Sequence, residues 1–200
     1  MDPTDLRAHV LETADRLFYG RGVQAVGMDE LRREAGVSLK RLYTLFPSKE
    51  EIVLAVLERR HRAWEDGVRE HLGRAGSSRA RLLAVYDYLA DWFAEDSFRG
   101  CGFINAFGEL GTVSPRVAEA ARRHKRAFQD QVAALVEAAG GPPELGPQLC
   151  ILAEGAQTTA AIAGTPEAAR QARRAAEVLI GAVLPAGPSG GEAAQDTREA

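Results

Sequence analysis

Apolar side chains recur at intervals of three and four residues along nearly the whole chain, and no segment shows the sustained alternation of a half-buried strand. The pattern predicts an all-α fold of about nine helices. Leu6, Val10, Ala14, Leu17 and Phe18 form the first stripe, with Thr4 or Asp5 as its N-cap and Gly20-Arg21-Gly22 as its end. Val23 and Val26 bridge to a short helix beginning at Met28. A second short helix follows Gly36, and its apolar face carries Leu42 and Phe46, four positions apart, to pack with Leu31, Ala35 and Val37. Pro47-Ser48-Lys49-Glu50 starts a longer helix, with Ser48 as cap and Glu50 and Glu51 at the positive end of the dipole. Its stripe runs through Ile52, Val56, the stem of Arg60, Trp64, Val68 and Leu72.

Gly73 to Ser78 breaks the pattern and is the expected seam between a small front module and the rest. Leu82, Val85, Tyr86, Leu89, Trp92 and Phe93 mark the next helix. A glycine-rich apolar segment follows from Gly100 to Gly108, where the glycines would let a helix unwind beside a ligand or only kink. Ser114-Pro115 opens a helix whose face is Val117, Ala121, His124, Phe128, Val132 and Leu135, ending at Gly140 to Pro143. Leu145 to Ala163 and Pro166 to Val183 are two final helices rich in small residues. Gly187 to Ala200 has no apolar periodicity and reads as a disordered tail. No internal repeat is visible.

The chain has 200 residues, 46% hydrophobic and 26% charged, enough to bury a substantial core. Its formal net charge of -3 excludes a general polyanion binder, so any affinity for nucleic acid has to come from a local patch. No apolar run approaches the ~20 residues that span a bilayer, and the first residues lack the layout of a secretion signal. Cys101 and Cys150 are too few and too far apart for a disulfide framework or a metal knuckle. These features predict a soluble protein of a reducing cytoplasm, with no membrane partner and no cofactor.

The local patch lies on the second short helix. Two short helices joined by a glycine-containing turn, the second bearing uncompensated cations, form the arrangement that lays a helix into the major groove. Ser38 caps that helix, which puts Leu39, Lys40 and Arg41 at its leading edge. Lysine and arginine donate to guanine acceptors, and a leucine can meet a thymine methyl. Tyr43 and Thr44 offer hydroxyls, and Lys49 stands beside the free N–H groups of the next helix, a combination that favours a phosphate.

The run G-V-S-x-x-x-L-Y-x-x-F-P-S-K-E, preceded by L-x-x-x-A and followed by a long helix, resembles the N-terminal signature of the tetracycline-repressor (TetR) family of transcriptional regulators. The likeness covers Leu6 to Val56, and the rest of the chain matches in architecture alone. It implies an N-terminal three-helix helix-turn-helix module joined to a larger helical ligand-binding and dimerisation module. It also implies a homodimer on a palindromic double-stranded DNA operator, released by a small-molecule effector. By motif position it assigns DNA contact to Ser38, Leu39, Lys40, Arg41, Tyr43, Thr44 and Lys49. Residues 1–50 are then the DNA-binding domain, 51–185 the effector and dimerisation domain, and 186–200 the tail. Two positions depart from the family pattern: Gly27 stands where a capping threonine is common, and Leu45 where histidine or tyrosine is common.

A dimer needs an interface, for which the last two helices offer Leu149, Leu152, Ala156, Leu179 and Val183, unless the same stripes pack inside one subunit. The middle helices hold the aromatics. Tyr86, Trp92, Phe93, Phe103, Phe107 and Phe128, with His124 and Gln157, read as a pocket for a mostly apolar effector with one or two polar handles, against the alternative of a plain core. Asn105, Glu109, Glu154 and Thr158 are further polar groups in these segments. The four histidines are scattered and no catalytic constellation is visible, so an enzyme is not expected. Two other readings stay open: the same fold with no effector, and a thiol-based redox regulator, which would need Cys101 or Cys150 exposed with a lowered pKa.

Overall fold

The computed structural model describes residues 2–184, and these form an all-α fold. The elements are α1 Pro3–Arg21, α2 Met28–Glu34, α3 Leu39–Leu45, α4 Lys49–Arg74, α5 Ser78–Phe93, α6 Gly102–Leu110, α7 Pro115–Ala138, α8 Leu145–Ala163 and α9 Glu167–Val183. The tail expected from residue 186 onward lies outside the described residues.

Serines start four of these helices, three of them (Ser38, Ser48 and Ser114) where the pattern predicts, with Ser77 inside the Gly73–Ser78 break as a fourth. Ser38, Ser48, Ser77 and Ser114 each accept a hydrogen bond from the backbone N–H three residues on. The first helix departs from expectation: it begins at Pro3, before Thr4 and Asp5, because proline suits the first turn and needs no N–H partner. The Gly100–Gly108 segment is likewise not unwound. It is α6, capped at Cys101, and Gly102 leaves the space that the Arg60 stem occupies, since a Cβ there would lie 3.0 Å from Arg60 Cδ.

Two apolar clusters hold the molecule. The front cluster joins α1, α2, α3 and Ile52 to Leu57 of α4 with Phe103 and Ala106 of α6 and Val117, Ala120 and Ala121 of α7. The rear cluster joins Trp64, Val68 and Leu72 of α4 with α5, the later part of α7, α8 and α9. The division therefore falls within α4, between Leu57 and Trp64, and not at the Gly73–Ser78 break, which is only the turn between α4 and α5. α6 and the start of α7, remote in sequence, complete the core of the front module.

Candidate DNA interface and effector cavity

α2 ends in a glycine cap. Gly36 has φ +65°, and the N–H groups of Gly36 and Val37 donate to the carbonyls of Arg33 and Arg32, closing the turn that aims α3. Leu42 and Phe46 anchor α3 in the front core. The opposite face is open. Ser38, Leu39, Lys40, Tyr43 and Thr44 are exposed and Arg41 is half-buried. Leu39 and Tyr43 are 41% and 45% exposed and stand beside Lys40 on this face, so it offers apolar contact and charge together. Arg32, Arg60, Arg116 and Arg173 each pair with a carboxylate, whereas Lys40 and Arg41 form no ion pair among the described residues. Thr44 spends its hydroxyl proton on the Lys40 carbonyl at 2.9 Å, leaving oxygen lone pairs as its free capacity. Lys49 is half-buried with its Nζ 5.9 Å from the Phe18 ring, and burial lowers its pKa while the Glu109 carboxylate opposes that shift.

α6 is fastened to the front module at both ends. At its start, Tyr19 of α1 donates its hydroxyl proton to the Gly100 carbonyl at 2.7 Å and accepts from the Arg99 N–H at 2.9 Å. At its end, the Glu109 carboxylate accepts from the N–H groups of Val23 and Gln24 at 3.0 and 2.8 Å. Gly22, with φ +88°, makes this approach possible: a Cβ there would come within 3.2 Å of the carboxylate. Glu109 is thus a clamp on the α1–α2 turn and not one of the interior pocket groups expected. A third tie joins α4 to α7: Ser114 donates to Glu50 at 2.6 Å, and Arg116 pairs with Glu50 and Glu51 at 3.2 and 2.5 Å.

Behind these ties lies a cavity of about 70 Å³ walled by Trp64, Tyr88, Trp92, Phe103, His124 and Arg60. It shares Arg60, Tyr88 and Trp92 with an outer groove of about 680 Å³ that reaches α1. On its other side, Phe103 and His124 also border an open cleft of about 520 Å³ between α4 and α7. The His124 ring stacks on Phe103 at 3.8 Å and places its Nδ1 3.0 Å from Nδ1 of His61. Burial, followed by the neighbouring Lys125 ammonium and His61 ring, pushes the His124 pKa down to about 3, so the His124 ring is neutral at ordinary pH. Arg60 is held over the Tyr19 ring at 3.6 Å and pairs with Asp15 at 2.5 Å.

Comparison with known proteins gives the same picture. The family model "Bacterial regulatory proteins, tetR family" matches residues 10–56, and "Tetracyclin repressor-like, C-terminal domain" matches residues 78–176. The chain belongs to the TetR family. The transcriptional activator FasR of Mycolicibacterium smegmatis is 35% identical over 135 residues, which is 68% of this chain and 60% of that protein. The repressor NemR of Escherichia coli K12 is 32% identical over 112 residues, 55% of this chain and 56% of NemR. The chain therefore spans little more than half the length of these curated relatives. The solved TetR-family regulator SCO4454 of Streptomyces coelicolor superposes with a TM-score of 0.84 at 29% identity, covering 90% of this chain and 96% of that one. At the family level the chain is a DNA-binding transcriptional regulator.

Within this TetR-family frame, the expected site residues sort unevenly. Trp92, Phe103 and His124 do line the cavity. Tyr86 does not: it is core, its hydroxyl donating to the Leu149 carbonyl at 2.7 Å. Phe93 is packed against Phe98, and Phe128 backs the Trp64 ring from the core. Gln157 is buried on α8 without lining these cavities. Phe107 is 46% exposed and borders an outer groove that Phe103, one turn earlier on the same face of α6, also lines. Of the expected dimer residues, Leu149 and Ala156 are buried within the subunit, Leu152 and Leu179 are partly buried against the rear cluster, and Val183 is exposed. α8 is apolar on two sides, and the stripe chosen from sequence is the inner one. The outward residues are Ile151, Ile162 and, on α9, Val178. Cys101 and Cys150 are both buried, and burial pushes the Cys150 thiol up to about 12, which removes the exposure that the redox reading required. Trp64, Tyr88, Arg60 and His61 were missed as cavity or ligand groups. Their helical stripe looks the same whether it faces a core or a hollow.

Proposed function

We propose that the protein is a homodimeric repressor that holds a palindromic operator and leaves it when a small, mostly apolar molecule enters the cavity between α4, α5, α6 and α7. The observation that carries this reading is the exposed face of α3, where Leu39, Lys40, Arg41 and Tyr43 stand without internal partners above a buried Leu42 and Phe46. In this reading Ser38, Leu39, Lys40, Arg41, Tyr43 and Thr44 meet the groove and its edges, and Lys49 meets a phosphate beside the start of α4. The outward Ile151, Ile162, Val178 and Val183 of α8 and α9 supply the apolar surface for pairing two subunits, since half-site symmetry mirrors protein symmetry. The ties at Tyr19, Glu109 and Glu50 give the cavity a mechanical route to the α1–α2 turn and the start of α4.

The test is selection of bound duplexes from random DNA at modest ionic strength, repeated with apolar candidate effectors. A recovered inverted repeat whose binding weakens with an effector supports the reading. Absence of any preferred duplex, including those upstream of the coding region, overturns it. The names of the relatives include an activator as well as a repressor, so transcription from the recovered operator, measured with and without the protein, decides the direction of control.

A further inference from the structure

A separate groove of about 370 Å³ lies on the outer surface between α6 and α7. Phe103, Ile104 and Phe107 of α6 and Ala121 of α7 give it apolar walls. Ile104 and Phe107 are 36% and 46% exposed, so large apolar side chains are left open there. Ala121 and Lys125 are four residues apart on α7, as are Arg122 and Arg126 beside them, so one helix face brings a small wall residue and three cations to the same groove.

The charge at this groove is one-sided. Its lining holds Arg122, Lys125 and Arg126 and, among the described residues, no carboxylate. Two carboxylates outside the lining serve these three cations. Glu119 is shared by Arg122 at 3.9 Å and Arg126 at 2.5 Å, and Glu154 pairs with Lys125 at 3.3 Å. Both partners of the Glu119 pairs are more than half exposed, and such pairs give way to a competing anion at little cost. Arginine forks match the two oxygens of a carboxylate.

Size and shape point to a small molecule. A docked peptide helix needs apolar anchors over two turns of the receiving surface. Here Ile104 and Phe107 are followed at the next position of that line by Gly111, which has no side chain to offer. Residues 187–200 carry no large apolar side chain and do not suit these walls. A space of ~150 Å³ holds benzene, so 370 Å³ admits a body of about two fused rings. Ring contacts with Phe103 and Phe107 add to the gain from area burial and favour a flat aromatic body.

We propose that this groove binds a hydrophobic aromatic monocarboxylate, its rings against Phe103 and Phe107 and its carboxylate on Arg122, Lys125 and Arg126. The site shares only Phe103 with the cavity proposed above for the effector, so the assignment goes beyond that reading.

The test is equilibrium dialysis of the full chain against 2-naphthoate, 2-naphthalenemethanol and 2-naphthylmethylammonium, which differ in charge on one aromatic body. The carboxylate should bind about tenfold tighter than the alcohol, the worth of a charge-assisted hydrogen bond, and the ammonium weakest of the three. Added salt should narrow the gap. Arg122→Gln combined with Arg126→Gln should erase the preference for the acid and leave the alcohol unchanged. Phe107→Ala should weaken acid and alcohol alike, whereas Tyr88→Phe, in the inner cavity, should change neither. Equal affinities for acid and alcohol, a preference that survives the double substitution, or sensitivity to Tyr88→Phe in place of Phe107→Ala each overturns the assignment. So does failure of every probe to bind, the result expected if a second copy of the chain covers the groove. Should a variant fail to fold, the three probes on the native chain still decide. No DNA enters this measurement, so its failure leaves the operator reading standing.

Discussion

Lys40 and Arg41 differ from most cations of this protein in what they do not touch. Arg116 is committed to Glu50 and Glu51 and Arg173 to Asp87, whereas the two α3 cations are left to solvent or to DNA. Lys40→Ala or Arg41→Ala should each cost ~1–3 kcal/mol, concentrated at particular base pairs, when binding is scanned across single-base variants of the selected operator. Lys49→Ala should weaken all duplexes alike and lower the slope of log affinity against log salt by about one, the mark of a lost phosphate contact. His124 makes a different prediction. Its folded pKa of about 3 lies below the ordinary 6.5, so the unfolded chain takes the proton first as pH falls. The stability from burying the neutral ring is complete above pH 6.5, declines between 6.5 and about 3, and is flat below. The decline approaches ~1.4 kcal/mol per pH unit, and urea midpoints at pH 7 and pH 5 should differ clearly less in His124→Phe than in the native chain.

At the scale of elements, the helix-turn-helix depends on one backbone angle. Gly36 holds φ +65°, and a Cβ at that position meets nothing within 4 Å. Gly36→Ala therefore isolates conformational strain from steric clash. It should cost ~1–2 kcal/mol, read as a fall in Tm of a few degrees, while the hydrogen bonds from Gly36 and Val37 to Arg33 and Arg32 persist. The α6 clamp depends on charge and geometry together. Glu109→Gln turns one acceptor into a donor facing a backbone donor, and it should speed amide exchange at Val23 and Gln24 by about tenfold or more. Unchanged protection at those two amides would mean that the α1–α2 turn is held by the apolar packing of Val23 and Val26 alone.

For the whole molecule, the division of the core inside α4 fits the coupling proposed between the cavity and α3. α4 belongs to both apolar clusters, α6 is tied to α1 at one end and to the α1–α2 turn at the other, and the start of α7 is tied to the start of α4. Phe103 and Arg60 line the cavity from α6 and α4, two of the elements that these ties hold. The pairing surface proposed above lies on α8 and α9. Ile162 is 83% exposed, and Ile162→Glu together with Val178→Glu should give a monomer by sedimentation, with helical content retained and operator binding lost. A variant that stays dimeric would move the interface away from α8 and α9.

The all-helical class, the glycine and serine punctuation, the α3 face and its cations were all legible in the chain itself. These depend on local rules: three-to-four periodicity, a cap three residues before the N–H it accepts, a glycine where φ turns positive. The sequence pattern could not say which stripe of α8 faces inward, because a helix apolar on two sides offers two equal answers until α7 and α9 choose one. It also could not separate a wall from a core. Trp64, Tyr88, Trp92 and His124 become a cavity, and His61 meets His124 across 63 positions, only when α4, α5, α6 and α7 come together. Glu109 read as an interior polar group and became a clamp for the same reason, since its partners Val23 and Gln24 lie more than eighty residues away. Local backbone energetics write themselves into neighbouring residues, whereas hollows and long-range hydrogen bonds belong to the packing of distant ones.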